Sequence, residues 1–426
     1  MTFVIGAALL LFALYGTPLF AIIAASAIAG FYLNDIDLQI ITLEIYRIAE
    51  MPVLSAIPLF TFAGYLLGEG SAPQRLVRLS NAIVGWMPGG IAVVALCTFA
   101  LFTAFTGASG VAIIALGAFL FPALKEVGFD DKFTLGLITS SGSLGLLFAP
   151  SLPLILYGVV AQQLGLGIPI SIDDLFIAGI LPGLLMIVAL SFYSMFKSRR
   201  QNIPTRSFSW RELISAGRES AWEIPLPFIV LGGIYSGYFA VSEAAAVTAT
   251  YVLFTEMVIR RDISPKQLIK LVNESMMLVG AIVIILGVSL ASTNYMIDAE
   301  IPSRLFETIN NHVSNKYVFL VLLTIFLLVL GMLLDIFSAI VLMIPIILPV
   351  AIAYGIHPVH LGILFLANMQ LGYFTPPVGM NLFIASYRFE RPVVEIYKAT
   401  IPFFLILLLT VLAITYWPTL SLIFVT

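Results

Sequence analysis

Charge is what this 426-residue chain has least of: Asp, Glu, Lys and Arg make up 10% of it, against roughly a quarter in a soluble domain. It has one cysteine, Cys97, inside an apolar run, which excludes disulfides and any CxxC metal or redox centre. Three histidines, His312, His357 and His360, leave little for a metal site. No GxxxxGK(S/T) occurs, so the chain carries no P-loop for ATP. A formal charge of −3 gives a nucleic-acid partner no electrostatic basis. What is abundant is apolar surface: 61% of residues are hydrophobic and the mean hydropathy is +1.08. Such a chain is an integral membrane protein. Residues 3–33 are uncharged and preceded by no Lys or Arg, too long for a cleavable apolar core, and are expected to stay as a span.

Nine stretches are long enough to cross a bilayer: 4–33, 52–69, 133–163, 175–196, 222–239, 242–260, 270–294, 360–387 and 400–424. Two further apolar blocks, 90–124 and 317–354, are each too long for one helix and are broken near the middle, by "TGASG" and "GMLLDIFS". Their halves, about 17 residues or roughly 25 Å of helix, are short for a ~30 Å core. They read as two re-entrant helical hairpins, with two pairs of thin spans as the alternative. With the N-terminus inside, 17 of the 20 Lys and Arg fall on the cytoplasmic side, and only Arg47, Arg304 and Lys316 fall outside. The C-terminus then lands outside.

Three amphipathic pieces lie between spans. "SWRELISAG" has Ser209 and Glu212 at capping-box spacing, with an apolar face suited to the cytoplasmic interface. "LQIITLEIYRIAE" (38–50) suits the outer one. Ser264–Pro265 reads as an N-cap followed by a first-turn proline. Gly64 and Gly68 form a GxxxG packing signal.

The chain repeats itself at an offset of 227: Ala112, Ile113, Pro122, Gly128, Leu144, Gly145 and Pro150 meet Ala339, Ile340, Pro349, Gly355, Leu371, Gly372 and Pro377. An odd number of spans separates the units, so the second is inverted, as in secondary transporters. Each unit ends in a helix that cannot be continuous, broken at Pro150 and Pro153 in the first and at Pro376 and Pro377 in the second. Carbonyls freed at such breaks must line a cavity or bind a cation, and the half-helix beyond points its amides at an anion. Carbonyls for Na+ and amides for a carboxylate at one level make a co-transport site.

These motifs, "IPLFTFAGYLLGEG" (57–70), "GWMPGG" (85–90), "GSLGLLFAPSLPLILYG" (142–158), "GGIYSGYFAVSEAAAV" (232–247) and "LGYFTPPVGMNLFIAS" (371–386), resemble the large membrane subunit of TRAP transporters, the tripartite ATP-independent periplasmic uptake systems. The resemblance covers nearly the whole chain. It implies an all-α polytopic elevator-type transporter with inverted repeats, each a hairpin plus a discontinuous helix. It implies Na+-driven import of an organic acid (a C4-dicarboxylate, sialic acid, or another sugar or keto acid) across the bacterial inner membrane. Two partners are implied, a small four-helix membrane subunit and a periplasmic substrate-binding protein, with Na+ co-transported and no organic cofactor. The division expected is 1–88 N-terminal scaffold, 89–163 first transport repeat, 164–315 central scaffold, 316–387 second repeat and 388–426 C-terminal span. The tip "TGASG" is poorer in Ser than the family pattern, and "FAPS" stands where a double proline is usual.

The expected Na+ ligands are Ser109, Ser143, Gly145, Ala149, Asp335, Thr375 and Val378. The expected substrate contacts are Gly107, Ala108, Ser151, Ser338, Pro377, Gly379 and Asn381. Asp335 is the one charge in its block, a Na+ counter-charge or a helix cap. Glu243 reads as a cap or scaffold contact. Two other readings stand beside import by a TRAP subunit. One is a self-sufficient sodium/dicarboxylate symporter. The other is an intramembrane hydrolase using Ser109 in its Gly-Ala-Ser-Gly setting, which needs a histidine in reach; His312, His357 and His360 are placed in outer loops or at their edges.

Overall fold

The computed structural model describes residues 7–425 apart from positions 10, 13–14, 35–36, 40–41, 44–45, 47–49, 169, 204–206 and 314. Among the described residues every regular element is a helix. Eight helices are long and apolar enough to cross a bilayer. The bent pair Asp131–Leu147 and Leu152–Gln163, with 42° at its break, makes a ninth candidate.

After helical residues at 7–9 and 11–12 come α1 (Leu19–Leu33), α2 (Ala56–Glu69) and α3 (Ala72–Val84). The expected single span over 4–33 is corrected: the run turns at Tyr15 and Gly16, where Gly16 takes φ +81°, and α1 begins only after Pro18. The amphipathic piece at 38–50 lies largely outside the described residues. The first hairpin is α4 (Gly90–Thr106) and α5 (Ser109–Val127), joined by Gly107 and Ala108. Then come α6 (Asp131–Ser141), a short 3-10 turn at Leu144–Leu147, a cis Ala149–Pro150 bond and α7 (Leu152–Gln163).

The middle of the chain supplies α8 (Ile172–Ala178), α9 (Ile180–Arg200), α10 (Trp210–Glu219), α11 (Pro225–Tyr235), α12 (Val241–Phe254), α13 (Pro265–Asp298) and α14 (Ile301–Asn310). The caps expected here form: Ser209 Oγ accepts from Glu212 N, and Ser264 with Gln267 makes a full capping box ahead of Pro265. Glu243 accepts from Ala240 N at 2.9 Å, a cap of its own helix. The second hairpin is α15 (Lys316–Leu333) and α16 (Ile336–Ala353), joined by Leu334 and Asp335. It is followed by α17 (Pro358–Gly372), a cis Pro376–Pro377 bond, α18 (Met380–Phe389) and α19 (Val393–Tyr416).

The repeat is visible in local chemistry and in packing. Gly128 (φ +113°) and Gly355 (φ +71°) each follow a hairpin in the left-handed region. Asp130 and His357, 227 positions apart, each cap the next helix, accepting from Phe133 N at 2.6 Å and Val359 N at 3.3 Å. The second hairpin arm of each unit packs on the post-break helix of the other, α5 on α18 and α16 on α7. Ser143 Oγ donates to the carbonyl of Gln370, its own repeat mate, at 3.4 Å. Gly145 and Gly372 stand where each broken helix touches a first hairpin arm; a Cβ on Gly372 would lie 2.5 Å from Gly331 backbone. Gly64 likewise lets α2 press on α4, a Cβ there meeting Phe105 O at 2.6 Å.

Two arginines of α3 organise the end of the molecule that carries α10. Arg78 pairs with Glu212 (2.8 Å) and with Glu219, holding α10 against α3. Arg75 is buried and bonds three carboxylates, Glu223 (2.6 Å), Asp262 (2.8 Å) and Glu256 (3.2 Å). It is therefore a structural charge, not one of the free surface cations it resembles in sequence.

Candidate functional site

Both hairpin tips are built by helix termini. α4 ends because Gly107 takes φ +64° and returns its N–H to Thr103 O at 2.8 Å; α5 then starts at Ser109 with Ala108 as N-cap. A Cβ on Gly107 would strike Leu152 at 2.7 Å, so the tip rests on the start of α7. In the second hairpin Asp335 Oδ1 accepts from Phe337 N and Ser338 N, each at 3.0 Å. Its capping role is thus realised, through Oδ1 alone.

The tips meet the broken helices through named bonds. Ser109, buried, donates from Oγ to Asn381 Oδ1 at 2.7 Å, and Asn381 Nδ2 donates to Thr139 O at 3.3 Å. One asparagine thereby joins the first tip, the second break and α6. Gly379 N donates to Met332 O at 3.0 Å, tying the second break to its own hairpin. Gly379 has φ +56°, and a Cβ would lie 2.7 Å from Thr375 O, so backbone shape and space both demand glycine. Asp335 and Val378 line one cavity of about 230 Å³ with Met332, Met380 and Phe383. The two tips differ chemically: the repeat mates of Ser109 and Asn381 are Ile336 and Leu154, both buried and apolar.

The other expected residues sort by what already occupies them. Thr375 Oγ1 donates to Leu371 O at 2.7 Å, so only its lone pairs remain. The Gly145 carbonyl accepts from Phe148 N at 3.0 Å inside the short turn. Ala149 and Pro377 each belong to one of the cis bonds, at matching repeat positions. Ser151 is fully buried at the N-cap of α7, with an Oγ that has no partner among the described residues. Sequence reasoning missed several polar groups at this level. Thr106 Oγ1 and both amide atoms of Gln370 are buried without partners among the described residues. Tyr373, buried, accepts the Ile336 N–H on its hydroxyl at 2.6 Å and so caps α16. Position was the available signal: Thr106 directly precedes the first tip, and Gln370 is the repeat mate of Ser143. Buried polar groups without a protein partner are rare in native proteins, and a ligand, ion or water commonly satisfies them.

The family model described as "Tripartite ATP-independent periplasmic transporter, DctM component" matches residues 3–420. The chain belongs to the DctM family. Among relatives of this DctM-family chain, the C4-dicarboxylate TRAP transporter large permease protein DctM of Rhodobacter capsulatus is 32% identical over 400 residues, 92% of this chain and 91% of that protein. The ectoine TRAP transporter large permease protein TeaC of Halomonas elongata is 30% identical over 426 residues, 99% of this chain and 98% of that protein. In fold it is similar to the Alcanivorax borkumensis YdaH transporter, with TM-score 0.64 at 12% identity, covering 90% of this chain and 88% of that one. This DctM-family chain is a multi-pass membrane transport protein, not an enzyme. Accordingly Ser109 has asparagine rather than histidine as its partner. The histidines are engaged elsewhere: His312 with Thr308 O, His357 with Val359 N, and His360 with Ser421 Oγ at 3.2 Å. His360 lies buried in the first turn of α17, not in a loop.

Proposed function

We propose that this chain is the transport subunit of a Na+-coupled TRAP importer of an organic acid, working by an elevator motion of the two repeats against the remaining helices. The observation that carries the reading is the junction of the first tip with the second break through Ser109 and Asn381. Around it lie the orphaned hydroxyls of Thr106 and Ser151 and the amide of Gln370. Asp335 Oδ2, the lone pairs of Thr375, and carbonyls at the breaks would hold Na+. The N-termini of α7 and α18, near Ser151 and Gly379, would receive the substrate carboxylate. Na+ supplies charge that a carboxylate substrate needs, since the cavity by Asp335 is lined by no Lys or Arg among the described residues. Relatives carry names for C4-dicarboxylate, ectoine and isethionate transport, so C4-dicarboxylates lead the candidate substrates, with sialic acid and keto acids behind.

A small four-helix membrane subunit and a periplasmic binding protein complete the system. Reconstituted in proteoliposomes with both, the chain should take up substrate under an inward Na+ gradient and stop when choline replaces Na+. Without the binding protein uptake should fall to background. Saturable uptake by the chain alone would instead make it a self-sufficient symporter.

We place the N-terminus and the α10 end in the cytoplasm and the α14 end in the periplasm of the inner membrane. With Cys97 replaced by Ser, Lys132→Cys and Asn311→Cys put single thiols on exposed positions at the two ends. Impermeant maleimide on intact cells should label the cysteine at 311, and reach the one at 132 only after permeabilisation. Labelling of both from outside would break the inverted arrangement.

A further inference from the structure

The two hairpins are related by repeat but not equally filled. The arms of the first pack along each other, whereas those of the second splay, and a cavity of about 300 Å³ opens between α15 and α16. Every residue lining it is apolar, Phe319, Leu323 and Phe326 from α15 and Met343, Ile347 and Val350 from α16 among them, and α14 closes one side with Leu305 and Ile309. The repeat supplies an internal control. Phe99, the mate of Phe326, is 0% exposed, while Phe326 is 44% exposed; Leu116, the mate of Met343, is likewise fully buried. The same hairpin sealed by protein in one unit is left open in the other.

We infer that this groove holds one acyl chain of a bilayer phospholipid, with its headgroup at α14, a site independent of whether substrate is bound. Three features select that occupant. The first is depth: Phe319 and Val350 lie at one end of the groove and Phe326 and Met343 at the other, seven residues or about 10 Å along each arm. From Lys316 to Phe326 is about 15 Å, the depth of one leaflet of a ~30 Å core. The second is the level of the mouth. Tyr317 is exposed at the same end of α15, on its α19 side, where the Tyr317 and Tyr416 rings lie 6.2 Å apart and Trp417 is exposed, an interfacial aromatic belt. The third is charge. Arg304 is exposed on α14, one residue before the groove-facing Leu305. Among the described residues it forms no ion pair. Lys316 spends one proton on Gly355 O at 2.7 Å and keeps two donors. A phosphate facing Arg304 and Lys316 is the headgroup of a phospholipid, with phosphatidylethanolamine as the probe.

The test uses the full chain in nanodiscs containing phosphatidylethanolamine with a photoactivatable diazirine in its acyl chain, followed by peptide mass spectrometry. Adducts should concentrate several-fold on the segments carrying Phe326 and Met343 over other lipid-facing helices such as α9. Met343→Trp, which fills the groove, should abolish that enrichment and leave α9 labelling unchanged. Arg304→Gln, which leaves the apolar walls intact, should reduce it several-fold and so keeps the test decisive if the first variant misfolds. Labelling no stronger in the groove than on α9 would overturn the site. Enrichment unaffected by both variants would overturn it as well.

Discussion

Asn381→Leu is expected to cut Na+-driven uptake by at least about 30-fold at similar side-chain volume. Leucine removes the acceptor of the Ser109 hydroxyl and the donor to the Thr139 carbonyl, both deep in the protein. Each buried polar group left unpaired costs about 1–3 kcal/mol, and each 1.4 kcal/mol is about tenfold in an equilibrium. The loss falls where the first tip, the second break and α6 join. Ser109→Ala alone should cost less, since it removes a donor and leaves Asn381 its other bond. Combining the two should cost clearly less than their sum, because the hydroxyl orphaned by leucine is then absent. Proteoliposome uptake of the four proteins closes the cycle. Strict additivity, or uptake by Asn381→Leu within threefold of the parent, would remove this junction from the transport site.

The largest effect on folding is expected from Arg75→Leu. It leaves Glu223, Glu256 and Asp262 facing one another at the buried end of α3 without their shared cation. Breaking a buried ion pair by removing one partner costs about 3–5 kcal/mol, and the melting temperature in detergent should fall on the order of 10 °C. Adding Glu223→Gln and Glu256→Gln should recover much of the loss, since it is excess negative charge that destabilises. Burial pushes the Asp262 carboxyl up, but hydrogen bonds from Arg75 and from Ser71 N–H outweigh it and hold it below its ordinary value. Its contribution is therefore complete above the ordinary carboxylate range and is lost as pH falls through the depressed value. In Arg75→Leu this acid sensitivity should shrink. A melting temperature unchanged by Arg75→Leu would show that the cluster does not hold α3 in place.

The legible parts of this molecule are those in which the backbone itself is constrained. Pro150 and Pro377, Gly128 and Gly355, and Gly145 and Gly372 recur at one offset because helix breaks, left-handed turns and close approaches tolerate few other residues. From them the hairpins, the discontinuous helices and the repeat could be read, with Ser109 at the first tip and Asn381 just after the second break, where the structure has them. The illegible parts depend on which distant side chain answers which. Arg75 looks in sequence like any cytoplasmic arginine, because its partners lie 148 to 187 positions away. Thr106 and Gln370 carry no local signal beyond their neighbours, and Tyr373 becomes a cap only once α16 is laid beside it. The turn at Gly16 was hidden by uniform hydropathy, which reports composition and not continuity.

The bond between Ser143 and Gln370 joins a position to its own image. In a dimer of two identical inverted halves, such a position faces a copy of itself across the axis, so whatever it carries must pair with its like. Two serines would do so reciprocally, each hydroxyl donating to the other's backbone carbonyl. Within a single continuous chain the two places are free to differ: the Ser143 hydroxyl donates, and Gln370, with an amide in place of a hydroxyl, accepts on its carbonyl. The same freedom, extended to Ser109 and Ile336, allows the two hairpin tips of one symmetric frame to have different chemistries.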